Sequence, residues 1–214
     1  MIYHETSPDA PAVIIMLTQT HESGKEKCFQ YYPHSTEDPT MPLNEHDEFG
    51  DGFTASLTLQ DLVDDEATHS EIRELELNVT EGADNGDTRK IWHFLFAGWP
   101  DFLVPEDDDR VALLNLVRES AAKNEDNEVP RIVHCSAGVG RSGTFIALDW
   151  LLGELEEGSL DEGKVITGEK DPIVEVVDQL RQQRMMMVQG EPQFQFLYDV
   201  MRELWIERWK ARNA

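Results

Sequence analysis

Cysteine is nearly absent from this chain: only Cys28 and Cys135 occur in 214 residues. Two isolated thiols cannot form a disulfide framework or a thiolate zinc site, so a reducing intracellular compartment is the expected setting. Basic residues are also scarce. Eighteen Lys and Arg face 43 Asp and Glu, a formal net charge of −25. Such a polyanion is repelled by nucleic acid and by anionic membrane, and its charge is by default a solvated acidic surface that favours basic protein partners. Long apolar runs are missing too. The strongest, "AVIIML" at residues 12–17, is far too short to span a bilayer, and "MIYHETSPDA" lacks the basic start and apolar core of a secretory signal. No internal repeat is visible.

The apolar residues that are present, 40% of the chain, are clustered, and the length suits one folded domain with acidic loops. Three polar stretches, 33–52, 80–88 and 156–171, carry Gly, Pro, Asn and Asp and read as loops. "AVIIMLT" reads as a buried strand. "LELNV" at 75–79 alternates apolar and polar residues. With "TRKIWHFLFAG" beyond the 80–88 loop, it predicts an antiparallel hairpin. "PRIVHC" is a further short strand.

Helices dominate the second half. "DDDRVALLNLVRESAAKN" opens on acids, which the helix dipole favours. Asp171 as N-cap and Pro172 in the first turn start a helix whose Ile173, Val176, Val177 and Leu180 share one face. In "EPQFQFLYDVMRELWIERW" the spacing aligns Phe194, Leu197, Tyr198, Met201 and Trp205 as a core stripe. Strands interleaved with amphipathic helices predict an α/β domain.

The chemistry concentrates in "IVHCSAGVGRSGTF", residues 132–145, an apolar strand that bends through glycines into a helix. Gly138 and Gly140 can adopt backbone angles other residues resist, so Ser136, Ala137, Gly138, Val139 and Gly140 can turn their amides inward. A nest of amides at a helix start binds phosphate or sulfate, and Arg141 adds a planar charged fork. The nucleotide-binding loop needs Gly-Lys-Ser/Thr at its end; here the loop begins with a thiol instead. The same amides and Arg141 are expected to lower the pKa of Cys135 and make it a nucleophile toward phosphorus. Cysteine is often only buried filler, but the glycines and arginine at this spacing weigh against that. Upstream, "GWPDFLVP" places Asp101 after Trp99 and Pro100. Taken alone, Asp101 reads equally well as a turn cap or as a general acid over the pocket.

Taken together, these stretches resemble the catalytic domain of the tyrosine-specific, cysteine-based protein tyrosine phosphatases of the non-receptor type. The family signature stands as His134-Cys135-Ser136-Ala137-Gly138-Val139-Gly140-Arg141-Ser142, and Trp-Pro-Asp as residues 99–101. The later glutamine motif matches Gln189, Gln193 and Phe194 in "MVQGEPQF", and "ESGKEKCFQYYP" at 22–33 is similar to Glu-x-Gly-x-x-Lys-Cys-x-x-Tyr-Trp-Pro. The resemblance implies a central mixed, highly twisted β-sheet flanked by helices, with the Cys-x5-Arg loop between a strand and a helix. It implies Cys135 as nucleophile, Arg141 and the loop amides as the phosphate cradle, and Asp101 as general acid and then base. Gln189, supported by Gln193, is to position the hydrolytic water, Ser142 to meet the leaving sulfur, and His134 to orient the loop. Glu22 is to pair with Arg141, Lys27 to meet Asp101, and Phe102 to line the channel of the aromatic ring. No metal or organic cofactor is implied. The expected partners are phosphotyrosine proteins, kinases among them, and the expected form is a monomer of the cytoplasm or nucleus.

Three positions depart mildly from the family pattern: Tyr32 for Trp, Leu103 for Gly and Gly190 for Thr. The opening "MIYHE" is similar to the middle of the family's Met-x-Trp motif. The resemblance therefore implies one domain, 1–214, lacking the family's N-terminal helices and its Lys-Asn-Arg-Tyr loop, whose tyrosine walls the pocket. Without that wall, a phosphotyrosine-binding scaffold with impaired turnover is the alternative. Retention of Cys135, Arg141 and Asp101 weighs against it. A dual-specificity phosphatase shares Cys-x5-Arg, but "HCSAGVGRSGTF" with Trp-Pro-Asp and the paired glutamines favours the tyrosine-specific branch.

Overall fold

The computed structural model describes residues 2–6, 9–48, 50, 52–81, 86–100, 103–125, 129–161 and 163–213. The chain forms two compact units. The first comprises Met1–Gly98 with Asp107–Ile132, and the second Trp99–Glu106 with Val133–Ala214.

In the first unit, after a short helix α1 (Ile2–Glu5), the strands are β1 (Ala12–Met16), β2 (His21–Glu22), β3 (Lys25–Glu26), β4 (Thr40–Leu43), β5 (Thr54–Asp65), β6 (Ser70–Glu81) and β7 (Thr88–Phe96). The hydrogen-bonded order is β4-β5-β6-β7-β1 and continues into β8 (Ile132–His134), within which the chain leaves this unit; β2 and β3 form a separate ribbon. β1 runs parallel to β7, with Ala12 opposite Ile91 and Met16 opposite Leu95. The pairs β4–β5, β5–β6 and β6–β7 are antiparallel, so the sheet is mixed, as the resemblance implies.

Burial follows the residue pattern. β1 is apolar throughout and buried at all five positions, as expected of a strand covered on both faces. In β5, Ala55, Leu57 and Leu59 are buried while Thr54, Ser56 and Thr58 are less so, and Leu75 and Leu77 of β6 sit opposite Leu59 and Leu57. These leucines, with Ile14, Met16, Tyr32, Ile91 and Leu95, form the core of the unit. Helix α2 (Asp107–Lys123) packs on β1 and β7 through a face that includes Leu113 and Leu116. Tyr32, the departure from Trp, is buried, with the Arg73 guanidinium 4.4 Å above its ring.

The second unit is helical: α3 (Gly140–Glu157), a 3-10 turn (Ser159–Asp161), α4 (Gly163–Ile166), α5 (Pro172–Gln183) and α6 (Glu191–Arg212). α3 is buried on most sides and packs against α5 and α6, which is why "SGTFIALDWLLGEL" shows almost no polar face. The expected cap of α5 is present, with Asp171 Oδ1 accepting from the amides of Ile173 at 3.1 Å and Val174 at 3.2 Å.

The elements differ from expectation in four places. The expected loop 33–52 contains β4, and the expected loop 156–171 contains the end of α3, the 3-10 turn and α4. The long strand β5 carries no sequence assignment, because its second half, "QDLVDD", dilutes the alternation with acids. On α6 the buried stripe is Gln193, Phe196, Leu197, Val200 and Met201. Phe194, Tyr198 and Trp205 lie on its flank, half-buried, where the last two donate to Asp171 at 2.7 Å and Asp161 at 2.9 Å. Rings with a polar tip settle where that tip finds a partner.

Candidate active site

β8 ends at His134, and five residues carry the chain from Cys135 to the start of α3 at Gly140. The bend depends on Gly138 at φ +68°, a conformation that strains an L side chain. The N-cap position of α3 is Val139, whose side chain makes no capping bond, so the first amides of the helix have no partner of the ordinary capping kind. The sulfur of Cys135 takes their place. It is buried, and burial pushes a thiol pKa up. The Ser142 hydroxyl and the amides of Ser142, Gly138 and Val139 outweigh that, leaving the thiol below its ordinary value of 9.0. Ser142 Oγ is buried without a hydrogen-bond partner of ordinary geometry, so it acts on the sulfur as a nearby dipole. His134 places Nδ1 3.3 Å from the Cys135 carbonyl oxygen, and burial holds its pKa below 6.5.

Arg141 is only 3% exposed, and its Nη1 donates to the Trp99 carbonyl at 3.1 Å. Trp99 is buried near Phe196, ring centroids 6.4 Å apart. Its Nε1 donates to the Leu103 carbonyl at 3.0 Å, and the Leu103 amide donates to Pro100 O at 3.2 Å. The base of the Trp-Pro-Asp loop is thereby closed on itself and tied to Arg141. Asp101 and Phe102 lie outside the described residues.

The glutamine segment stands against the start of α3. Gln193 is buried and its Oε1 accepts from the Gln189 amide at 3.1 Å. A Cβ added to Gly140 would fall 3.0 Å from Gln193 Oε1 and 3.4 Å from Gln189 Cβ. At Gly143 the approach is closer still, with the Val188 amide nitrogen 2.6 Å from such a Cβ. Met186 and Val188 hold positive φ, 66° and 56°, costly for a side chain and most of all for the β-branched Val188. Arg181 braces this turn, its Nε donating to Met187 O at 2.9 Å and its Nη2 to Val188 O at 2.8 Å.

The second unit thus gathers Cys135, Ser136 to Gly140, Arg141, Ser142, His134, Gln189 and Gln193. Glu22 and Lys27 are placed in the first unit, where Glu22 accepts from Thr18 Oγ1 at 2.8 Å. Sequence reasoning missed Arg181 and Arg184, the latter donating through Nη2 to the Ala137 carbonyl at 3.1 Å. The available signal was two of only 18 basic residues, three apart, immediately before "MMMVQG". Among the described residues there is no cluster of His, Cys, Asp or Glu fit to hold a metal ion, and no helix is long and apolar enough to cross a membrane. A thiol whose pKa is lowered by inward amides, six residues before a buried arginine, is suited to binding a tetrahedral oxyanion and attacking its centre.

A family profile described as Protein-tyrosine phosphatase matches residues 1–203. The chain is 33% identical over 201 residues to tyrosine-protein phosphatase 2 of Schizosaccharomyces pombe, covering 94% of this chain and 25% of that protein. It is 34% identical to tyrosine-protein phosphatase 1 of Saccharomyces cerevisiae, covering 95% and 64%. Among solved structures, the protein tyrosine phosphatase TcPTP1 of Trypanosoma cruzi superposes with a TM-score of 0.74 at 26% identity, covering 95% of this chain and 62% of that one. The chain therefore spans less than two thirds of each of these relatives.

Proposed function

The chain belongs to the protein-tyrosine phosphatase family, and from that premise we propose that residues 1–214 act as one catalytic domain hydrolysing phosphotyrosine in proteins. The observation that carries the proposal is the setting of Cys135: a buried sulfur whose pKa is lowered by the Ser142 hydroxyl and three backbone amides, those of Gly138, Val139 and Ser142, six residues before a buried arginine.

In the proposed reaction the Cys135 thiolate attacks phosphorus. An Sγ–P bond forms as the P–O bond to tyrosine breaks. Asp101 gives its proton to the departing tyrosine oxygen, while Arg141 and the loop amides hold the equatorial oxygens. Asp101, now a carboxylate, then takes a proton from a water positioned by Gln189. That water displaces the sulfur and releases inorganic phosphate. Gln193 holds the Gln189 backbone, and the Ser142 hydroxyl receives the leaving thiolate. Glu22 is to orient Arg141, Lys27 to meet Asp101, and Phe102 to line the ring channel. Substrates with basic residues flanking the phosphotyrosine, activation loops of kinases among them, suit a chain of net charge −25.

The test uses the purified chain with an aryl phosphate, vanadate as competitor and Cys135→Ser as control. Vanadate-sensitive turnover that Cys135→Ser abolishes is expected; phosphotyrosine binding without turnover would instead make the chain a scaffold. Asp101→Ala should slow kcat by about 100-fold or more while leaving binding intact, the range of a lost general acid. Equal rates on phosphotyrosine and phosphothreonine peptides would reassign the chain to the dual-specificity branch.

A further inference from the structure

Arg184 ends α5 in extended backbone, its amide bonded to the Leu180 carbonyl at 2.9 Å. Its side chain crosses to the cysteine loop, where Nη2 donates to Ala137 O at 3.1 Å. The contact is close: a Cβ on Gly138 would lie 3.5 Å from Nη2 and 3.9 Å from Cζ. The bond that Arg184 grips belongs to a planar, trans peptide, whose carbonyl and N–H point in opposite directions. The N–H of this same peptide is that of Gly138, one of the amides bonded to the Cys135 sulfur.

Gly138 itself offers this peptide little resistance to turning over. Gly138 has no Cβ, and a glycine at φ +68° can reach the opposite backbone region at little cost. A turned peptide would aim the Ala137 carbonyl oxygen at the sulfur and repel a thiolate. We propose that Arg184 is a positioning residue which, by holding the Ala137 carbonyl on the far side, keeps the Gly138 N–H on the Cys135 sulfur. The proposal rests on reading Cys135 as the nucleophilic thiolate. Donation to the carbonyl also polarises the peptide and strengthens its N–H as a donor.

Arg184 also carries a charge, which acts on the sulfur through space. Among the described residues of this unit, the other charged or titratable groups near the loop include His134 at the end of β8, Arg141 in the first turn of α3 and Arg181 on α5, whose fork is taken up by the Met187 and Val188 carbonyls. Salt separates the two effects. A through-space charge is screened, whereas a peptide orientation is not.

The experiment measures the rate at which iodoacetamide alkylates Cys135 as a function of pH, in a Cys28→Ser background so that one thiol reports. In the acid range, Arg184→Gln should react roughly tenfold more slowly, the effect of one lost hydrogen bond to a charged sulfur. The deficit should persist at about 0.5 M salt. Arg184→Lys, which keeps a donor and the charge, should recover part of the rate. A wild-type rate for Arg184→Gln, or a deficit that vanishes at high salt, would overturn the proposal. Should Arg184→Gln not fold, the Gly138 amide resonance of the otherwise unaltered chain decides: it must shift as Cys135 titrates, and an unmoved resonance overturns the proposal. No substrate enters these measurements. A chain whose thiol titrates low but which turns over no aryl phosphate would sink the proposed function and leave this inference standing.

Discussion

At Cys135 two forces oppose one another: burial, which favours the neutral thiol, and inward hydrogen-bond donors, which favour the thiolate. The donors prevail, and the sign of the pH dependence follows. A thiol that titrates lower when folded than its ordinary value of 9.0 adds stability in full above that pH, and this is lost as pH falls through the folded value. Ser142→Ala removes one of the lowering groups. Its acid limb of alkylation should move to higher pH, with roughly three- to tenfold slower labelling at a fixed pH below the thiol pKa. An unmoved limb would remove Ser142 from its assigned place at the sulfur. Cys135, Arg141 and Ser142 were legible because they sit in one short segment whose residue types state their chemistry. Arg181 and Arg184 were not, because each binds backbone carbonyls of another loop, and a carbonyl leaves no mark in residue type.

Helix ends and close approaches govern the elements of the second unit. Asp171 caps α5 with one carboxylate oxygen and accepts the Tyr198 hydroxyl of α6 with the other. Burial and this bond push the tyrosine up to about 12. Asp171→Ala therefore removes both, and a loss of about 1–2 kcal/mol in denaturant unfolding is expected, the upper part of the range for a lost N-cap. Gly143→Ala acts differently. Its methyl would meet the Val188 amide nitrogen at 2.6 Å and Met187 backbone at 3.1 Å, so α3 and the glutamine segment must part. A cost of roughly 1–3 kcal/mol is expected, with a larger fall in kcat than Asp171→Ala produces, because Gly143, unlike Asp171, abuts the segment that carries Gln189. Wild-type turnover in a folded Gly143→Ala chain would show that this approach has no part in catalysis. The start of α5 could be read in advance, since Asp-Pro before an apolar stripe is a local signal. The buried stripe of α6 is rotated slightly from the one its spacing predicts, because periodicity reveals that a face exists, and polar partners on neighbouring loops select which rings reach it.

For the whole molecule the governing quantity is charge. Forty-three acids against 18 bases repel one another within a folded chain of 214 residues, so screening should stabilise it. Raising salt from about 0.02 to about 0.2 M is expected to lift Tm by roughly 2–4 °C, the shift that corresponds to about 1 kcal/mol at this size. A flat or falling Tm would mean the acids are already neutralised by local pairing.

The α/β class, the cysteine loop and its arginine, and the cap of α5 were all present in the linear order of residues, because each depends on neighbours a few positions away. The long strand β5, the face of α6 that is buried, and the grip of Arg184 on the Ala137 carbonyl were decided by folding. Each depends on a partner brought in from a distant part of the chain, and local patterning carries no record of which distant backbone atom a side chain will meet.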